Sequence, residues 1–174
     1  PAFATTKVLG ADGALVDQAR PMQVRELLMH TSGLTYDFMA DNPVAQLYRD
    51  ARIMNDATRT LAALVDDLAA LPLAFQPGSR WHYSVGIDVA ARLIEVLSGQ
   101  SVGDFLQERL FGPLGMVDTG FGVPADQLHR LSAMYGLPDL IGENYSAIQL
   151  VEAALAGFNE RLDVSATYPT DTPH

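Results

Sequence analysis

The chain has 174 residues, enough for the core of one domain and too few for a second independent one. Acidic residues outnumber basic ones 21 to 11, and the basic residues are scattered, so the net charge of -10 argues against a nucleic acid partner. There is no cysteine and no apolar run near the roughly 18 residues of a membrane span, which excludes disulfides, a cysteine nucleophile and a predicted span.

The histidines do not suggest a metal centre. None of the spacings between His30, His82, His129 and His174 matches a ligand pattern such as H-E-x-x-H. A turn or surface role suits each of them better, so we assign no metal, and no motif indicates a cofactor.

The first elements are helical. Residues 1–20 are expected to be irregular, with "GADG" as a turn, and "PMQVRELLMHTSG" predicts a short helix with Pro21 at its first position and Gly33 just past its end. Its expected apolar face consists of Val24, Leu27 and Leu28. In "DNPVAQLYRDARI", Asn42 predicts the cap of a second helix and Pro43 its first residue.

Two helices with buried stripes follow. The third helix spans about 58–71, and the fourth follows Tyr83-Ser84 and ends at Ser98-Gly99. The i, i+3, i+4, i+7 spacing predicts the stripe residues as Leu61, Leu64, Val65 and Leu68 in the third and Ala90, Leu93, Ile94 and Leu97 in the fourth.

The remaining pattern is also mainly helical. Ser101 with Asp104 resembles a capping box for a fifth helix that stops at "FGPLG", and Pro124 begins a short helical turn. "RLSAMY" fits a helix or a strand, and "SAIQLVEAALAGFNERL" (146–162) predicts a last helix. The count of about six helices and few strands indicates a complete bundle or the helical part of a mixed protein.

The ends of the sequence favour the second option. The chain opens at Pro1 without an initiator Met and stops in the polar run "TYPTDTPH". We therefore expect a piece of a longer protein, and the sequence gives no compartment.

The stretch "PGSRWHYSVGIDVAARLIEVLSGQ" (77–100) places two candidate reactive groups before the fourth helix. Ser84 falls short of the G-x-S-x-G elbow because His82 stands where the first glycine should be, so a helix-capping serine is the better interpretation. Tyr83, taken alone, fits a packed ring at the edge of the core. A tyrosine ionises near pH 10 and needs a cationic neighbour to act as a base at neutral pH.

Longer blocks change that interpretation. "VRELLMHTSGLTYDF" (24–38), the region 77–121 and "VPADQLHRLSAMY" closely resemble the serine β-lactamase and penicillin-binding-protein superfamily, and in particular the β-lactamase-like family VIII carboxylesterases. The resemblance is strongest over 20–140. It implies a mainly α chain, the helical region of an α+β β-lactamase/transpeptidase-like fold with most of the antiparallel sheet missing, so that 1–174 is a single partial domain.

The resemblance also implies a mechanism. The superfamily uses Ser-x-x-Lys, a Tyr-x-Asn variant and a Lys-Thr-Gly or His-x-Gly strand, and Tyr83-Ser84-Val85 stands at the second element. Tyr83 would then take the proton of the nucleophilic serine and return it to the leaving group, in a carboxylesterase-type serine hydrolase. The only lysine, Lys7, follows Ala4 by three residues, so we expect the nucleophile and the oxyanion strand outside this chain.

Substrate contacts follow from the same resemblance. Val85 stands where β-lactamases commonly have an asparagine that binds the substrate amide, which favours small esters over β-lactams. Leu34 and Tyr36 are candidates for the substrate pocket, and Trp81 is a candidate pocket wall although a core anchor suits it better. The expected partners are thus a small ester or β-lactam-like molecule and the rest of the same polypeptide.

Other classes remain open at this level. A β-lactamase or D-amino-acid peptidase belongs to the same superfamily, and a non-catalytic helical binding module or pseudoenzyme is the alternative of another class. An α/β-hydrolase would use Ser84 with Asp118 and His129, and it requires a strand at 79–83. We expect the isolated chain to be inactive.

Overall fold

The computed structural model describes residues 2–39, 42–54 and 59–130, together with the backbone of two short strands at 134–135 and 161–162. The chain forms two compact units, Pro1–Leu106 and Gln107–His174. Helices account for most of the regular structure in the described residues. The interpretation of 1–174 as one partial domain stays a prediction.

The first unit opens with a β-hairpin. Strands β1 (Val8–Leu9) and β2 (Leu15–Val16) pair antiparallel, and the turn between them closes with a hydrogen bond from the Gly13 N–H to the Gly10 carbonyl at 3.0 Å. The expected "GADG" turn is confirmed, and the expectation of an irregular segment is wrong. Two-residue strands are too short to produce an alternating pattern, and β1 is fixed by a distant partner, Leu73, whose carbonyl accepts the Leu9 N–H at 2.8 Å.

Helix α1 spans Val24–Leu28 and begins later than its proline suggests. Gln23 is the N-cap, and the Glu26 side chain accepts the Gln23 N–H at 2.8 Å to complete a capping box. The prediction of Pro21 as the first helical residue is therefore wrong, because the polar pair two residues later satisfies the free N–H groups of the first turn.

Helices α2 (Pro43–Asp50) and α3 (Leu61–Ala69) confirm the sequence prediction. Asn42 caps α2 by accepting a backbone N–H of the first turn at 2.9 Å, and Pro43 is the first helical residue. Thr60 caps α3 in the same way at 3.2 Å. Capping chemistry was sufficient to predict α2, whereas α3 was predicted from the spacing of its apolar residues.

Helices α4 (Gly86–Ser98) and α5 (Val102–Leu106) complete the first unit. The left-handed residue Gly99 ends α4 with φ of 71°, as predicted. The Ser101 hydroxyl accepts the Asp104 N–H at 3.0 Å at the start of α5, which confirms the predicted capping pair.

Helix α4 is the centre of the packing, since it contacts α1, α3 and α5. The close approach to α1 depends on Gly86, where a Cβ would lie 2.6 Å from the carbonyl oxygen of Leu27. The core contains the following buried side chains: Val8, Leu27, Leu34, Val44, Tyr48, Ile53, Val65, Leu68, Leu73, Val85 and Val89.

Two predicted apolar faces are wrong in part. Val24 and Leu28 of α1 are exposed, and Leu97 of α4 is 78% exposed. Helical periodicity identifies an apolar face but not the residues that meet a partner, and α4 is buried near its start through Gly86 and Val89.

The second unit begins with the π-helical turn Gln107–Phe111, continues to a 3-10 helix at Ala125–Arg130 and includes the antiparallel pair β3 (Met134–Tyr135) and β4 (Arg161–Leu162). The strand alternative for "RLSAMY" is thus confirmed at β3. The predicted helix over 146–162 lies outside the described residues except at β4, where it is wrong. None of the described helices combines the length and apolar character that a bilayer crossing requires.

Candidate active site

Tyr83 lies in the irregular segment that leads into α4, and this segment runs beside the turn after α1. The His82 N–H donates to the carbonyl of His30 at 2.8 Å, and the Val85 N–H donates to the carbonyl of Thr35 at 3.4 Å. These two hydrogen bonds hold the backbone on either side of Tyr83. Residues 79–83 form no regular strand, so the strand that an α/β-hydrolase elbow requires is absent from this part of the structure.

A buried polar network anchors the same segment. The Thr35 hydroxyl lies 2.8 Å from Nε2 of His82 and accepts a hydrogen bond from the Asn42 amide at 3.1 Å. Since Asn42 also caps α2, the segment before α4 is connected to the start of another helix. Satisfied polar networks of this kind in a core specify one arrangement of the backbone.

The ring of Tyr83 is held between two other rings. It is 44% exposed, and its centroid lies 4.8 Å from that of His30 and 5.1 Å from that of Tyr36. Beyond them, Phe38 stacks on Tyr36 at 4.9 Å and Trp81 meets His30 edge-on at 6.4 Å. Tyr83 is therefore the middle member of a row of five rings.

Tyr36 keeps its proton in this row. Burial raises the pKa of Tyr36 well above its usual range, and the negative charge of Asp88 and a hydrogen bond with Tyr83 act in the same direction. Burial also raises the pKa of Asp88, which lies in the first turn of α4. An uncharged phenol thus remains beside Tyr83 at neutral pH.

Ser84 differs sharply from its neighbour. Its side chain is 0% exposed, and its Oγ lies 3.4 Å from Nδ1 of His30. The N-cap of α4 is Val85, which makes no side-chain capping bond, so the capping interpretation of Ser84 is wrong. The buried hydroxyl is also out of reach of an ester, which removes the basis for Ser84 as a nucleophile.

The remaining predicted site residues divide into two groups. Tyr36 and the 67% exposed Trp81 share the row of rings with Tyr83. Leu34 is 1% exposed and Val85 is 0% exposed, and both belong to the hydrophobic core. Tyr36 therefore lies against Tyr83, and Trp81 joins the same row through His30. The interpretation of Trp81 as a core anchor is wrong, whereas Leu34 and Val85 lie in the core.

Sequence reasoning missed the residues that hold the segment. Thr35 and His82 are 47 positions apart, and no local pattern links two such side chains. His30 carried a weak signal, since it opens the helix stop "HTSG" three residues before Gly33. Its ring contact with Tyr83 depends on the tertiary fold.

The second unit contains a surface cleft of about 390 Å³, which is lined by residues between Val117 and Arg130. Arg130 binds both carboxylate oxygens of Asp118, at 2.7 and 2.6 Å, and this bond lowers the pKa of Asp118. The pairing commits Asp118 to Arg130, which contradicts its role as a triad partner. In the described ranges, no three His, Asp or Glu side chains gather as metal ligands would.

Comparison with known proteins identifies the family of the chain. The family model described as Beta-lactamase matches residues 11–148. The chain belongs to the beta-lactamase family. The predicted similarity to the serine β-lactamase superfamily and the predicted mainly α fold class are thereby confirmed.

Curated relatives extend well beyond the matched region. Protein Rv1367c of Mycobacterium tuberculosis is 35% identical over 143 residues, which cover 80% of this chain and 35% of the relative. The lovastatin esterase of Penicillium rubens is 37% identical over 103 residues, which cover 59% of this chain and 25% of the esterase. The chain thus spans about a third of the length of the first of these and a quarter of the second.

Solved structures give the same result. EstCE1, described as a hydrolase with promiscuous acyltransferase activity, matches 99% of this chain and 43% of its own, with a TM-score of 0.67 and 25% identity. A variant of simvastatin synthase from Aspergillus terreus matches 77% of this chain and 30% of its own, with a TM-score of 0.56 and 30% identity. Similar proteins therefore include esterases and acyltransferases.

Proposed function

We propose that the protein to which these 174 residues belong is a serine hydrolase of small esters that works through an acyl-enzyme, with Tyr83 as the group that transfers the proton. One observation carries the proposal: the Tyr83 ring is exposed and held between His30 and Tyr36, whereas the adjacent Ser84 is buried. The esterases among the relatives support the substrate class.

In the proposed mechanism, Tyr83 returns each proton that it accepts. Ionised Tyr83 accepts the proton of a serine hydroxyl as that oxygen attacks the ester carbonyl, and it then donates the proton to the departing alcohol oxygen. In the second half, Tyr83 accepts a proton from water, whose oxygen attacks the acyl-enzyme, and returns it to the serine oxygen. The group ends each turnover in its starting state.

The nucleophile is proposed to come from sequence outside this chain. No Ser-x-x-Lys occurs here, and Lys7, the only lysine, bonds to Asp17 at 2.6 Å on the first hairpin. A lysine ammonium next to the nucleophile would supply the positive charge that a tyrosine base needs at neutral pH. The oxyanion strand is proposed to come from the same remaining polypeptide.

Esters are preferred as substrates over amide-bearing β-lactams. Val85 places an apolar side chain inside the core, so that position offers no hydrogen bond to a substrate amide. Tyr36 and Trp81 would contact the bound ester, while Leu34 and Val85 would support them from within. A β-lactamase or D-amino-acid peptidase of the same family is the alternative.

Acyl transfer to an alcohol is a second candidate. EstCE1 and simvastatin synthase carry acyltransferase descriptions or names, and both match this chain in structure. The chemistry differs only in the acceptor, since an alcohol oxygen replaces water in the second half. Ester formation from p-nitrophenyl butyrate in the presence of an added alcohol would distinguish the two.

The test is the hydrolysis of p-nitrophenyl butyrate by the intact protein and by Tyr83→Phe. Loss of the proton-transfer group should reduce kcat about 100-fold or more. Tyr48→Phe is the matched control, because it removes the same hydroxyl from a fully buried tyrosine and should change kcat less than about threefold. Near-normal turnover in Tyr83→Phe would remove Tyr83 from the mechanism, and an inactive intact protein would favour the pseudoenzyme.

A further inference from the structure

His30 has an unusual backbone conformation. Its φ is 54°, in the left-handed region that side chains with a Cβ generally avoid. Arg52, with φ of 51°, is the other described residue of this kind that is not glycine. Backbone in such a region persists only where the surrounding structure imposes it, and an observed outlier is a reason to ask what it holds in place.

The conformation of His30 lets it contact three consecutive residues. Its carbonyl accepts the His82 N–H at 2.8 Å, its ring packs against Tyr83 at 4.8 Å, and its Nδ1 lies 3.4 Å from Oγ of Ser84. A single residue thus restrains the backbone before the tyrosine, the tyrosine ring and the side chain after it.

The ring of His30 also lies between Tyr83 and the exposed ring of Trp81. Trp81 meets His30 edge-on at 6.4 Å, with an angle of 76° between the two planes. Tyr36 covers the other side of Tyr83 at 5.1 Å, with an angle of 42°. Removing His30 would leave Tyr83 with one neighbouring ring and a gap toward Trp81.

We propose that His30 is a positioning residue, which fixes the ring of Tyr83 in the orientation that proton transfer requires. The inference rests on the proposed function, because it assumes that the Tyr83 hydroxyl exchanges a proton with the nucleophile. No bond forms or breaks at His30. Its contribution is geometric, since proton transfer needs the two oxygen atoms within hydrogen-bond reach, and a displacement of about 1 Å can cost up to 100-fold in rate.

A purely structural turn makes a different prediction. If His30 only closes the helix stop, replacing it with glycine should not lower kcat, because glycine adopts a positive φ freely. If the ring positions Tyr83, the same substitution relaxes the backbone and still slows the chemistry. The kcat of His30→Gly, measured well below its Tm, therefore distinguishes the two roles.

The experiment measures kcat, KM and Tm of the intact protein with p-nitrophenyl butyrate for His30→Gly, His30→Asn and Arg52→Gly. Both His30 variants tolerate a positive φ and lack the ring, and each should lose about 10-fold or more in kcat, with KM within about twofold. Each also removes the contact with Oγ of Ser84, so Tm should fall at least as far as in Ser84→Ala, which is the control for that lost contact. Arg52→Gly makes the same backbone change at the exposed end of α2 and should keep wild-type kcat.

A double-variant comparison completes the test. In Tyr83→Phe, adding His30→Gly should cause no further loss, because the two residues act through one group. Wild-type kcat in His30→Gly, or an additive loss in the double variant, would overturn the positioning role while Tyr83→Phe still shows its own defect. An active Tyr83→Phe would instead refute the proposed function.

Discussion

At the scale of single residues, the main finding is that two neighbours with hydroxyl groups have opposite surroundings. Tyr83 is on the surface and Ser84 is in the interior. The buried hydroxyl meets Nδ1 of His30, so its polar group is satisfied inside the protein. Accessibility therefore separates the two candidates where sequence alone favoured Tyr83 only through a family resemblance.

Ser84→Ala tests this distinction. We expect the variant to lose about 1 kcal/mol of stability from the missing buried hydrogen bond. Its kcat should fall less than about 10-fold, whereas removal of a serine nucleophile costs on the order of 10⁶-fold. A fluorophosphonate probe should still label the intact variant at a different serine. Loss of labelling together with loss of turnover would make Ser84 the nucleophile.

The substrate-pocket candidates differ in where the structure places them. Tyr36 and Trp81 were named from the resemblance and lie in one row with Tyr83. Leu34 and Val85 were named in the same way and lie in the core, because a motif gives positions along the chain and not the direction of each side chain. Burial is decided by packing between segments that are distant in sequence.

At the scale of elements, local signals placed helices well and strands poorly. The cap Asn42 and the terminator Gly99 were readable because each acts within one turn of its helix. Strand β1 could not be predicted, because its bonds to β2 and to Leu73 come from other parts of the chain. The start of α1 was misplaced because Pro21 gave a strong signal and the Gln23 cap a weak one.

The N-terminus of α1 makes stability depend on pH. Glu26 is buried, accepts hydrogen bonds from Arg20 and from the Gln23 N–H, and offers its own carbonyl to the Thr31 N–H at 2.9 Å. The hydrogen-bonded guanidinium of Arg20 lowers the pKa of Glu26, although burial opposes this shift. The carboxylate is therefore stabilised in the folded state, whereas the backbone carbonyl of Glu26 holds the turn that contains His30.

Glu26→Gln should lower Tm by a few degrees at neutral pH, since glutamine keeps the capping geometry and loses the charge. A lowered pKa contributes stability above the ordinary carboxyl range, near pH 4.3, and that contribution disappears as the pH falls through the folded pKa. Thermal unfolding from pH 7 to pH 3 should thus show the two proteins converge in acid.

Asp17→Asn is the matched control, because its ion pair with Lys7 is exposed and such pairs contribute little at any pH. A constant difference in Tm between Glu26→Gln and wild type down to pH 3 would contradict the role of the carboxylate charge.

At the scale of the whole molecule, the surface of the first unit is unusually apolar in places. Val24, Leu28, Met29, Ile87, Val96 and Leu97 are all exposed, on the helices α1 and α4 and at the turn between α1 and His30. Large exposed apolar patches generally mark surfaces that contact another part of the structure. The matched solved structure EstCE1 is more than twice as long as the aligned region.

The last prediction is that the isolated 174 residues have no esterase activity. It follows from the proposal that the catalytic groups are divided between this chain and further polypeptide. The chain provides the proposed proton-transfer group and lacks Ser-x-x-Lys, so no serine has an adjacent ammonium to activate it. Ser84, next to that tyrosine, is buried. Initial rates with p-nitrophenyl acetate should equal the buffer rate for the purified chain, and they should be the same for its Tyr83→Phe variant.

Circular dichroism and thermal unfolding of the same sample provide the control for folding, because an inactive but unfolded chain would not test the chemistry. The intact protein serves as the positive control at equal concentration. Saturable turnover by the folded chain, lost in Tyr83→Phe, would show that the nucleophile is present within these residues. The division of the proton relay between this chain and further polypeptide would then be wrong, while the assignment of Tyr83 would stand.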